Sequence, residues 1–171
     1  MSGAIPESSG FGFRSLREII GGSGISASQF RRIAIELTES LAEHHQQGQA
    51  HGFLTLDNIV LNPESQACIL GWGQTAPPDL FDPQPDLQAL GRIFYALATG
   101  HDAGEILDAD PQRIPAELRF VILRAIEGGY LSAGDLAAAV RAWQPIPIRE
   151  STPRRLLWLV PVLVVDRKSV V

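Results

Sequence analysis

Lysine is nearly missing from this 171-residue chain, with Lys168 the single one, and acidic residues outnumber basic ones by 19 to 14. No Lys/Arg run gathers the basic residues into a patch. A nucleic-acid surface needs a concentrated basic field, so that class of function is excluded. Cysteine is equally scarce. Cys68 has no partner for an internal disulfide, and its place in the run Ala67-Cys68-Ile69-Leu70 predicts a small buried hydrophobe rather than a nucleophile. A lone thiol fits a reducing cytoplasm. Residues 1–12 are small and polar and carry no apolar signal core, so secretion by a signal peptide is not expected.

Other absences narrow the chemistry further. His44, His45 and His51 with Asp57 match no common zinc-ligand spacing, and no cysteine joins them. A Gly-x-Ser-x-Gly elbow is missing, which removes the Ser/His/Asp hydrolase reading. Internal repeats and low-complexity tracts are absent too. The longest apolar stretch, residues 156–165, would be roughly 15 Å long as a helix, against the ~30 Å core of a bilayer. It is too short to span. Either it is a truncated membrane segment or it docks as a strand on the domain. Arg154 and Arg155 beside it keep two options open, a solvated linker or proximity to the inner face of a membrane.

What is present reads as one domain with tails. A composition of 45% hydrophobic and 19% charged residues is an ordinary globular balance. Residues 1–14 form a Ser- and Gly-rich leader, 15–143 the domain, 144–155 a Pro- and Ser-rich linker and 156–171 the apolar tail. Leu16, Ile19 and Ile20 share one face of a short helix that Gly21-Gly22 ends. Ser26, with Gln29 three residues on, has the form of a capping box ahead of Phe30, Ile33, Ala34, Leu37 and Leu41. Two short apolar runs, 58–61 and 67–70, flank the turn composition of 62–66 and predict an antiparallel hairpin. Leu87, Leu90, Phe94 and Leu97 predict a largely buried helix ending at Gly100. Two more helices follow, one opening at Pro115 with Leu118, Val121, Ile122, Ala125 and Ile126 inward, the other capped by Ser132 with Leu136, Ala139, Val140 and Trp143 inward.

Between the second helix and the hairpin lies His51-Gly52-Phe53-Leu54-Thr55-Leu56-Asp57-Asn58-Ile59-Val60-Leu61. This resembles the catalytic loop of the protein-kinase superfamily, His-Arg-Asp-Leu-Lys-Pro-Glu-Asn-Ile-Leu-Leu, without a gap. His45, Gly48 and His51 keep the spacing of the run that leads into that loop. Gly71-Trp72-Gly73 lies where the family has its Asp-Phe-Gly metal motif, and Asp86-Leu87-Gln88-Ala89-Leu90-Gly91 resembles the start of its central helix. The likeness covers about residues 16–143 and rests on the order and spacing of these features. It implies a mainly α fold, a kinase C-lobe-like helical domain with a small hairpin and no N-lobe. It also implies that His51 and Asp86 anchor the loop and that Asn58 falls on the metal-binding asparagine.

The departures all remove chemistry. Phe53 occupies the place of the catalytic aspartate, and a phenyl ring has no lone pair with which to accept a hydroxyl proton. Gly71 cannot ligate Mg²⁺, which wants oxygen. Only Gln74 and Thr75 separate Gly73 from Ala76-Pro77-Pro78, where the family has an activation segment. Pro78 replaces the glutamate of its Ala-Pro-Glu motif, and Tyr130 stands at the place of the arginine that pairs with that glutamate. Leaving one such buried charge unpaired costs about 3–5 kcal/mol, so joint loss is coherent. A phosphate-pairing lysine and Gly-rich loop should precede the hinge, yet only about fifteen residues come before Leu16.

The leading expectation is therefore a pseudokinase-like binding or scaffolding module in the cytoplasm, without a cofactor. Phe53, Trp72 and the shortened segment after Gly73 would form an apolar patch for a protein partner. In this reading Asn58 holds the loop backbone. One alternative is a divergent Ser/Thr kinase that binds ATP and Mg²⁺ through Asn58 and takes its N-lobe from elsewhere. The other is a truncated kinase fragment without a role of its own, with apolar surface exposed.

Overall fold

A computed structural model describes residues 12–20, 25–73, 81–101 and 114–145. The leader up to residue 11, Gly21-Gly22, the Ala76-Pro77-Pro78 run, most of the 144–155 linker and the apolar tail lie outside the described residues. Elements run β1 (Arg14–Ser15), α1 (Leu16–Ile20), α2 (Ala27–Gln46), β2 (Ile59–Leu61), β3 (Ala67–Ile69), α3 (Gln84–Thr99), α4 (Ala116–Ile126) and α5 (Ala133–Ala142). The fold is mainly α with one small antiparallel sheet.

Each long helix starts where its sequence signals it. At the head of α2, the Gln29 N–H donates to Ser26 Oγ at 3.3 Å, and the Ser26 N–H donates back to Gln29 Oε1 at 3.2 Å. Two of the four orphan donors of a helix start are satisfied by this exchange. Phe30, Ile33, Ala34, Leu37 and Leu41 are all buried on one face, with Thr38 among them. The Thr38 hydroxyl donates to the Ala34 carbonyl at 2.8 Å, which removes the cost of burying it. At α5 the Asp135 N–H donates to Ser132 Oγ at 3.1 Å. Helix α3 ends on Gly100 at φ 80°, a left-handed residue whose N–H returns to the Ala96 carbonyl.

Helix α3 is the central element, with Leu87, Leu90, Phe94 and Leu97 all fully buried and Gly91, Ile93, Tyr95 and Ala96 buried beside them. An apolar face this wide must be covered on several sides, and α2 and α4 both pack on it. Helix α5 lies on α2. Phe30 joins the layers, with its ring edge-on to Phe94 at 5.6 Å and to Trp143 at 5.7 Å. Such edge-to-face pairs contribute about 0.5–1.5 kcal/mol beyond the area they bury.

Three details differ from the sequence expectation. The hairpin is the inner part of a three-stranded sheet ordered β1-β2-β3, because Arg14 and Ser15 pair with Leu61 and Val60. Arg14 thus belongs to the sheet and not to the leader. A two-residue strand is too short to show alternation; the open edge of β2 recruits it by supplying backbone donors and acceptors. Cys68 is half-buried where a buried side chain was expected, since β3 lies at the sheet edge. Ala139 and Ile126 are likewise half-buried at the margins of their helix faces.

Gly91 sets how closely α3 and α4 approach. A Cβ added there would lie 2.8 Å from the Ile126 backbone nitrogen and 2.9 Å from Ala125 Cβ. Replacing a helical glycine by alanine ordinarily stabilises by roughly 1 kcal/mol. Here the neighbour is backbone and cannot swing away, so Gly91→Ala is expected to destabilise, by about 1–3 kcal/mol. Urea unfolding with an unchanged m-value checks this, and a stabilised variant would show that the helices separate freely.

Candidate functional site

The loop from His51 to Asn58 is held from beneath by one buried carboxylate. Asp86, in the first turn of α3, is 1% exposed. Its Oδ2 accepts the His51 N–H at 2.7 Å and lies 2.9 Å from His45 Nε2, while Oδ1 accepts the Gly52 N–H at 2.7 Å. Gly52 has φ 76°, a left-handed conformation in which two successive N–H groups converge on the same carboxylate. His45 comes from the last turn of α2, so Asp86 ties α2, the loop and α3 together. Burial pushes the Asp86 pKa up. The donor on His45 and the N–H groups of His51 and Gly52 together outweigh it and hold the carboxyl below the ordinary aspartate value.

His51 forms the next layer. Its ring is buried, and Nε2 lies 2.9 Å from the Leu70 carbonyl, while the Phe53 N–H points at Nδ1 from 3.3 Å. The arrangement that satisfies both is Nε2–H donating and Nδ1 accepting. The histidine thereby links the loop to the end of β3. Trp72 covers it edge-on at 5.2 Å and stacks face to face on His44 at 3.7 Å. His45 meets Phe81 edge-on at 5.4 Å. Buried His45 Nδ1 has no hydrogen-bond partner among the described residues.

Asn58 closes the loop from its far end. Its Oδ1 accepts the Thr55 N–H at 2.8 Å, and its Nδ2 donates to the Phe53 carbonyl at 2.7 Å. Both ends of the amide are engaged with loop backbone. Leu54 and Leu56 are buried beneath, and Asp57 pairs with Arg17 of α1 at 2.6 Å on the surface. His51 and Asn58 therefore point at the loop's own framework, while Asp57 points at α1. Phe53 points away and is 65% exposed.

The structure thus brings His51, Asp86, Asn58 and Trp72 into one braced unit, with Phe53 at its outer face. The shortened segment that would complete the apolar patch expected with Phe53 and Trp72 lies outside the described residues. Trp72 is half-buried against His44 and His51, and Phe53 is exposed. The stack on His44 keeps the indole turned towards α2, an attraction between side chains distant in sequence that no local pattern displays. Gly71 and Gly73 have positive φ values of 87° and 75° and contribute backbone only. His45 is the residue that sequence reasoning left without a role, although its six-residue spacing from His51 was the available signal.

Among the described residues, no group of three or more His, Cys, Asp or Glu side chains is placed to hold a metal ion. Nor is any helix among them long and apolar enough to cross a membrane. Tyr130 is buried under the Arg124 guanidinium, which lies 4.8 Å from its ring centre. Burial raises the phenol's pKa, and the guanidinium charge offsets part of that rise. Pro78 lies outside the described residues. No protein-family model matches the chain, and no curated protein matches it.

Removing the Asp86 charge is expected to loosen the loop. In Asp86→Asn, an amide NH₂ must face at least one of the N–H donors, and an unsatisfied buried donor costs about 1–3 kcal/mol. The pH dependence has a definite sign. Because the folded pKa is lowered, the unfolded chain binds the proton first as pH falls. The carboxylate's contribution is complete above the ordinary value of about 3.9 and is lost as pH falls through the folded value. The stability gap between wild type and Asp86→Asn should shrink as pH falls below about 4. Denaturant titrations from about pH 5 down to about pH 3 test it, and a gap that widens across that range would reverse the assignment.

Proposed function

We propose that this chain is a protein-kinase-like C-lobe without phosphotransferase activity, acting as a binding or scaffolding module for a protein partner in the cytoplasm. The observation that carries the reading is the contrast within the 51–58 loop. Its framework is fully braced by Asp86, His51 and Asn58, while the position that aligns with the catalytic aspartate holds an outward phenyl ring. Phosphoryl transfer works by positioning and by neutralising charge with Mg²⁺, lysine and aspartate. Asn58, the one aligned metal ligand in the loop, has its carbonyl oxygen on Thr55 and its NH₂ on Phe53. A loop that is rigid and presents an aromatic suits recognition, since little ordering cost attends binding. The mainly α architecture and the order of helix, loop, hairpin and central helix further support the family resemblance.

The test is the thermal melt of the full chain with and without millimolar Mg²⁺ and ATP, beside Phe53→Asp. A ligand bound only to the folded state at a hundred times its dissociation constant adds about 2.7 kcal/mol, or roughly 5–10 °C at this size. No shift is expected for either protein, and no transfer of labelled phosphate by Phe53→Asp. A magnesium-dependent rise that disappears in Asn58→Ala would overturn the reading in favour of a divergent Ser/Thr kinase.

A further inference from the structure

A second surface lies between α4 and α5. There a cleft of about 630 Å³ is floored by Val121, Tyr130 and Trp143 and walled by Phe120 and Leu131. Phe120 is 65% exposed and Leu131 is 83% exposed, so two large apolar side chains stand at its mouth. Isolated exposed hydrophobes are ordinary, but two flanking one apolar cleft mark a docking surface. Its rim is acidic, with Glu117 at the start of α4 and Asp135 at the start of α5. Arg124, the cation of the lining, is engaged inward: its Nε donates to the Gly129 carbonyl at 3.0 Å and its plane lies over Tyr130.

We propose that this cleft is the seat of the chain's own apolar run, residues 156–165, with Trp158 as the anchor and Arg154 and Arg155 meeting the acidic rim. Three observations select this occupant. Ala142 and Trp143 line the cleft, so the chain leaves α5 at the cleft's edge. Eight residues then lie between Pro145 and Arg154, a span of up to roughly 30 Å when extended, well beyond the ~16 Å length of an eleven-residue helix such as α4. The run carries Leu156, Leu157 and Trp158 directly after the arginine pair, so apolar groups and positive charge arrive in the order that the cleft and its rim can take. A short tether also gives the segment an effective concentration on the order of millimolar at the cleft, ahead of a second copy or an outside partner.

The test uses the full chain labelled with 5-fluorotryptophan, whose three tryptophans, Trp72, Trp143 and Trp158, give three ¹⁹F resonances. Trp158→Phe identifies the third. Docking predicts that the Trp158 resonance is displaced from its position in a free peptide of residues 152–168. It should return towards that position in Leu131→Glu and in Phe120→Glu, with Trp72 unmoved as the sign of an intact fold. The double variant Arg154→Glu with Arg155→Glu, which touches no cleft residue, should have the same effect. A resonance at the free-peptide position in the intact chain overturns the proposal. So does a displacement indifferent to all three variants, one that fades on dilution, or one that appears only with phosphatidylglycerol vesicles; the last two would assign the run to a second copy or to lipid.

Discussion

The Asp86 carboxylate accepts three donors, from His45, His51 and Gly52, and the arrangement of the loop follows from that. A buried ionised carboxylate is tolerated only when its lone pairs are filled, and these partners come from α2 and the loop while the carboxylate belongs to α3. Satisfying one charge therefore fixes three segments relative to each other. The loop backbone cannot shift without leaving Asp86 unsolvated, so His51 is held against the Leu70 carbonyl and Trp72 keeps its place on His44 and His51. The polar bracing sits at one end of α3, and the rest of that helix is carried by apolar packing through Phe94 and Leu97.

This division of labour separates shape from chemistry. The groups that hold the loop are all engaged with backbone or with each other; of its exposed side chains, Asp57 is paired with Arg17 and Phe53 is apolar. A catalytic loop needs the reverse at that point, a polar group kept unsatisfied until substrate arrives. Framework and chemistry are thus physically independent: the framework depends on Asp86 and the loop amides, and nothing in those contacts requires a base at position 53. The cleft between α4 and α5 belongs to a different part of the fold, and its apolar lining is no part of the loop's bracing.

Much of this was legible in the sequence, for identifiable reasons. The capping box at Ser26, the periodic faces of α2 and α3 and the Ser132 cap are local signals, each written within a few residues. The bracing roles of Asp86 and His51 were readable only through a resemblance, because their partners lie 35 and 19 residues away. The third strand was missed because Arg14 and Ser15 carry no pattern of their own and pair only because β2 offers an edge. The half-exposure of Cys68 was missed for a related reason: it depends on which neighbour arrives from elsewhere in the chain.

The sequence by itself determined where helices begin and end, which faces they bury and which reactive groups the loop could never offer, because capping, periodicity and side-chain chemistry are properties of neighbouring residues. Only the tertiary structure decided that His45 completes the shell around Asp86, that Asn58 has both amide ends engaged with the loop, and that Phe53 is exposed while Trp72 stacks on His44. Those outcomes are set by burial and by donors meeting acceptors across tens of residues, and such meetings exist only once the helices have packed.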